Sequence, residues 1–219
     1  MPRREKRQKK EKATLLSHRE NPALAAPFDT ADKPYDLSVE IEKVVARLAT
    51  IEELNHIRPS ALMIAVAQCR NRSYFGTHAV LTALRFAGGK RELVKNKYKY
   101  VWPRIVIDGY EMLYLITFYL PRFLDVSFDE KLMTIIHELY HISPRFNGDL
   151  RRFPGRNYAH GHSTKEYEKQ LAPIMQKALA KYDFSIFDFM TMHFDELQKK
   201  YSAIIGNVFK NVRPQRFRI

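Results

Sequence analysis

A single cysteine, Cys69, stands in 219 residues. One thiol excludes an internal disulfide and zinc-finger cysteine spacing, and it suits a reducing compartment. Long apolar runs are also lacking. Met112–Leu120 is too short to cross a bilayer, and Glu111 precedes it. No apolar stretch follows the basic first residues, so no secretory signal is read there. A Gly-rich phosphate loop is missing as well. These absences exclude a disulfide scaffold, a membrane span and a nucleotide-binding P-loop, and they lead to the expectation of a cytoplasmic chain. What remains is ordinary for a globular protein: 45% hydrophobic residues, and a length that suits one domain with extensions.

The charge is less ordinary, at a formal +13. Residues 1–12 hold seven Lys or Arg and two Glu, hence five of those charges. The other eight are spread over the body and the C-terminal Arg213, Arg216 and Arg218. Such a tail can bind nucleic acid through phosphate contacts, act as an import signal in a eukaryotic host, or serve as a solubilising arm.

The chemistry concentrates in His137-Glu138-Leu139-Tyr140-His141. Residues four apart share a helix face, so His137 and His141 can aim two imidazoles at one ion. Glu138 follows the first and can reach a water on that ion. This is the HExxH pattern, in which two His hold Zn²⁺ and Glu is the general base. Ser127 and Glu130 form a capping box just ahead of it. Leu132, Met133, Ile135, Ile136 and Leu139 make the helix apolar away from the His face. Polar groups on a buried helix need partners, and a metal supplies them; a hydrogen-bonded pair of core histidines is the plainer alternative.

A catalytic zinc usually takes three protein ligands and a water. The metzincin continuation is absent, since Pro144 and Asn147 occupy its Gly and His positions. The third ligand is therefore expected downstream, at His160 or His162, with Glu166 and Glu168 as lesser candidates. Ser163 and Glu166 form a second capping box, which starts a helix there. His193 lies too far along, and His18, His56 and His78 have no ligand spacing. Between the two regions runs a Pro- and Gly-punctuated loop with Arg145, Arg151, Arg152 and Arg156. Arg152, Arg156 and Tyr158 are candidate oxyanion or substrate contacts, against the plainer reading of arginines tied to Asp149 and to carbonyls. Tyr167 is read as a helix-face aromatic.

HELYHISP, RRFPGR and HGHSTKEY together resemble the phage and bacterial metallopeptidases of zincin type, relatives of the SprT-like zinc metalloproteases. The likeness is strongest over about residues 100–170. It matches His137, Glu138 and His141, and then His160 or His162 with Tyr167. It implies a small zinc peptidase with a short sheet behind the active-site helix.

Apolar periodicity predicts an α+β fold: a small zincin-like domain with a short, mostly antiparallel sheet and flanking helices. Residues 1–33 read as a basic tail and linker, 34–181 as the metallopeptidase domain, and 182–219 as an extension packing on it. Within that frame the expectations are a helix over 37–55 capped by Asp36, and strands at Leu62–Gln68 and Ala79–Phe86. Lys90–Lys99 reads as a loop or short helix. A hairpin joins Ile105–Ile107 to Met112–Tyr119 through Asp108-Gly109. Helices follow at about 164–181 and Asp195–Tyr201, with a last strand near Ile204–Phe209. If Met112–Tyr119 is a sheet edge, it can pair with extended substrate. The expected activity is zinc-dependent hydrolysis of protein or peptide substrates. The alternative is a nucleic-acid-associated binding or regulatory protein with an inactive or structural metal site.

Overall fold

The computed structural model describes residues 33–152 and 164–219. The first helix, α1 (Leu37–Leu48), follows a two-residue strand β1 (Tyr35–Asp36). Asp36 caps it, its carboxylate accepting from Val39 N at 3.2 Å, a contact worth about 1 kcal/mol. Leu37, Ile41, Val44, Val45 and Leu48 recur at helical spacing, and all are buried. Each such side chain contributes about 1.5–3 kcal/mol by leaving water. The helix stops seven residues short of the expected 37–55. Ile51 is buried in extended conformation, so the chain turns inward there to reach the core.

Three strands form the central sheet in the order β2 (Leu62–Gln68), β8 (Tyr114–Leu120), β3 (Ala79–Ala83). β2 runs parallel to β8, and β3 runs antiparallel to it. Continuous apolar runs in β2 and β8 suit strands covered on both faces. On its outer side, β2 is met by the C-terminal segment. Val66 N donates to Asn207 O at 2.9 Å, and β9 (Ile204–Ile205) pairs with β1. The edge that remains among the described residues belongs to β3.

Two expectations change here. Asp108-Gly109 does turn the chain, both residues having positive φ, but it joins β6 (Val106–Ile107) to β7 (Tyr110–Glu111). The strand beyond, β8, leaves that hairpin and enters the sheet centre. It therefore has no edge to offer a substrate. Lys90–Lys99 is neither loop nor helix: it holds β4 (Glu92–Lys95) and the first half of β5 (Tyr98–Val101), an antiparallel hairpin. β5 pairs on its other side with β10 (Gln215–Arg218). Trp102 roots this second sheet in a small core with Met63, Leu84, Ile105, Met112 and Leu115.

The helices α2 (Phe128–Tyr140), α3 (Thr164–Lys181), α4 (Asp188–Thr191) and α5 (Phe194–Lys200) complete the fold. Leu132, Ile135, Ile136 and Leu139 of α2 share one core with Leu171, Ile174 and Ala178 of α3. Phe184, Phe189, Leu197 and Ile204 belong to the same core. No helix among the described residues is long and apolar enough to cross a membrane.

Candidate metal centre

The helix α2 begins as its sequence requires. Ser127 Oγ accepts from Glu130 N at 3.3 Å, and Glu130 Oε2 accepts from Ser127 N at 3.0 Å. Both halves of the capping box are closed. Thirteen residues later the helix ends at its C-cap, His141. His137 and His141 therefore project from the last turn, where the macrodipole is negative and favours a cation.

Their rings converge. Nε2 of His137 and Nε2 of His141 lie 3.0 Å apart, with ring planes at 79°. Two imidazoles bound to one tetrahedral zinc at about 2.0–2.1 Å would be separated by about 3.3 Å. The observed separation is that of a hydrogen bond between the two rings, and it lies within a few tenths of an ångström of the shared-ion value, so a small outward shift of the rings would admit an ion. Among the described residues no third His, Cys, Asp or Glu joins them. The expected third ligands, His160 and His162, lie outside the described residues, as do Arg156 and Tyr158; so do the side chains of Glu166, Tyr167 and Glu168.

Glu138, next to His137 on the same turn, meets the sheet. Its Oε2 accepts from Leu81 N on β3 at 2.6 Å. Along β3 successive N–H groups alternate in direction, and that of Leu81 points away from β8. The carboxyl thus sits against the edge strand, and it is 8% exposed. Burial pushes its pKa up to about 7, partly offset by the Leu81 N–H. No sequence signal announces this contact, because the partner is a backbone group.

The raised pKa is also a statement about stability. The unfolded carboxyl titrates near 4.5 and the folded one near 7, so the folded state prefers the neutral form. Below about pH 4.5 Glu138 has no penalty; the penalty grows as pH rises and is complete above about 7. In metal-free protein, Glu138→Gln should therefore stabilise by about 3 kcal/mol at pH 8 but by under about 1 kcal/mol at pH 5. Urea denaturation at the two pH values measures the difference, and equal gains at both would contradict the burial argument.

Beyond His141 the loop is held rather than free. Ile142 bridges Leu150, and Arg151 N donates to His141 O at 2.7 Å. The buried Tyr114 hydroxyl donates to Asp149 O at 2.8 Å and accepts from Gly148 N at 3.0 Å. Gly148 has φ +80°, and a Cβ there would meet Arg85 Cγ at 2.4 Å. Among the described residues, two of the loop arginines have structural partners. Arg151 Nε donates to Tyr140 O at 2.7 Å, with its guanidinium 4.0 Å from the Tyr140 ring centre. Arg152 pairs with Asp149 at 2.8 Å, and that carboxylate also accepts from Gly88 N at 2.7 Å. Burial raises the Asp149 pKa, but hydrogen bonds from Arg152, Gly88 N and Leu150 N outweigh it and hold the carboxyl below its usual value. The plainer reading, arginines tied to Asp149 and to a carbonyl, is the one seen for Arg152 and Arg151; Tyr114 was not singled out in the sequence, yet with Asp149 it fixes the chain leaving the histidine turn.

No other described histidine joins this pair in a metal-ligating group. His193 is the N-cap of α5, and its backbone N–H donates to Glu196. Burial, followed by the nearby Arg151 charge, lowers the His56 pKa.

No curated protein and no solved structure matches this chain. One family model does, over residues 33–171, which is more than half of the sequence and includes α1, the central sheet and α2. The match concerns this phage family; the SprT-like likeness rests on the motifs alone. With the HExxH helix inside the matched span, the chain belongs to the family described as "Putative phage metallopeptidase".

Proposed function

We propose that this protein is a zinc-dependent endopeptidase in which Glu138 is the general base. The observation that carries the reading is the 3.0 Å approach of the two Nε2 atoms at the end of a buried helix, beside a carboxyl whose pKa is pushed to about 7. His137 and His141 would hold the ion, with His160 or His162 as third ligand. When bound, zinc supplies Lewis-acid polarisation and a water acidified towards neutrality.

The residues of the chain do the rest. Leu81 N–H fixes one oxygen of Glu138, leaving the other to take a proton during attack on the peptide carbonyl. Glu138 then returns that proton to the departing amine nitrogen. Its burial keeps the proton affinity near neutrality, where both transfers run at working pH. The outer edge of β3 passes the same carboxyl, so an extended peptide can pair with β3 and present its backbone beside Glu138. That role falls to β3 because β8, the strand first considered, has neighbours on both sides.

Chelation tests the metal requirement. Removal of the ion should abolish casein cleavage, and stoichiometric zinc should restore it without a change in far-ultraviolet circular dichroism. Cleavage that survives full metal removal would refute the assignment.

A further inference from the structure

Nine of the thirteen net charges fall in two short stretches. Residues 90–104 hold six Lys or Arg and one Glu, and residues 210–219 hold four and no acid. With the five charges of the tail set aside as well, the remainder of the chain is net −1. Strand pairing brings the two stretches together in the β10-β5-β4 sheet. Of these nine charges a net three lie on the strands of that sheet and one, Lys97, on its hairpin turn; the others flank it along the chain.

The register sorts those residues by face. Tyr100 lies between Leu93 and Arg216, and Tyr98 between Lys95 and Arg218. Directly opposed residues share a face, so these six line one side. Among the described residues, that side of the three strands carries no carboxylate. The single acid, Glu92, is on the reverse face, paired with Lys99 at 2.8 Å. On the basic face the two tyrosine rings have centroids 6.5 Å apart, and the Arg216 guanidinium lies 4.7 Å from the Tyr98 ring centre. Every residue of β4 and β10 is exposed.

We propose that this face binds single-stranded nucleic acid. Three cations without a counter-charge select a polyanion. The paired tyrosines decide which kind. Phosphates alone would need only the cations, whereas two half-buried rings between them offer a stacking platform for unpaired bases. A duplex keeps its bases stacked internally and cannot use that platform. Three strands about 4.8 Å apart and four residues long give a surface of roughly 10 by 13 Å, room for a few bases. The inference does not depend on the metal site, which lies on other elements, and it differs from the expectation that the N-terminal tail is the nucleic-acid contact.

The test uses the full chain with its tail intact and a short labelled oligothymidylate, read by fluorescence anisotropy across a salt series. A triple variant (Lys95→Gln, Arg216→Gln, Arg218→Gln) should weaken binding at least tenfold. The slope of log affinity against log salt should fall by about 2, as loss of three phosphate contacts requires. Tyr98→Leu with Tyr100→Leu should weaken the single strand about tenfold and leave a duplex of the same length unaffected. The three cations are exposed and the two tyrosines half-buried, and unchanged circular dichroism verifies folding of both variants. Unaltered affinity in both variants would overturn the proposal. So would equal loss of duplex and single-strand binding in the tyrosine variant. Binding that disappears when the Lys and Arg of residues 1–12 become Gln, with both sheet variants silent, would also overturn it.

Discussion

Glu138→Gln is expected to lower peptide hydrolysis by about a thousandfold or more while leaving bound zinc near one ion per chain. The substitution keeps the shape and keeps an oxygen to accept from Leu81 N–H. It removes only the capacity to take and return a proton. General acid–base groups contribute about 10²–10⁴ in rate, and the proposed mechanism gives both transfers to Glu138. Metal content should not fall, because Glu138 turns towards β3 while the Nε2 atoms of His137 and His141 converge on each other. Single-turnover cleavage of a fluorogenic peptide, with elemental analysis of the same sample, separates the two effects. Loss of zinc along with activity would make Glu138 a ligand rather than a base. Unchanged activity would leave the metal a structural part.

The second large effect concerns the ion itself. His137→Ala and His141→Ala should each weaken zinc binding by more than about a hundredfold, the upper range for loss of a mere outer-shell partner. Competition with a chromophoric chelator measures it. The two variants should differ in stability. His141 is the C-cap and is 8% exposed, so its truncation also removes packing at the helix end. His137 lies within the helix and is only partly buried. Equal zinc affinity in wild type and both variants would place the metal elsewhere.

How much of this could be read from sequence depends on whether a feature is local. The HExxH helix was legible to its first residue, because a capping box and i, i+4 histidines are short-range signals and both appear in the fold. The same holds for β2, whose apolar run matches the strand, and for α3 over Thr164–Lys181. Non-local pairings were not legible. The Lys90–Lys99 stretch lacks the apolar alternation of a half-buried strand, and its turn uses Asn96 and Lys97 at positive φ with no glycine to mark it. Its outer partner, β10, comes from the far end of the chain. Asp108-Gly109 did mark a turn, but nothing local could say that β8 would leave the hairpin for the sheet centre. The contact between Leu81 N–H and Glu138 is invisible for a different reason: any residue at 81 other than proline has that N–H.

The family match and the histidine geometry meet in one claim, that an ion sits between His137 and His141 with a position open to water. Anomalous scattering at the zinc edge, from crystals of the zinc-loaded protein, tests it most directly. The account predicts a peak within about 2.0–2.1 Å of both Nε2 atoms, one further protein ligand and one solvent ligand. A zinc peak away from this pair, or a closed set of four protein ligands around it, would contradict the account.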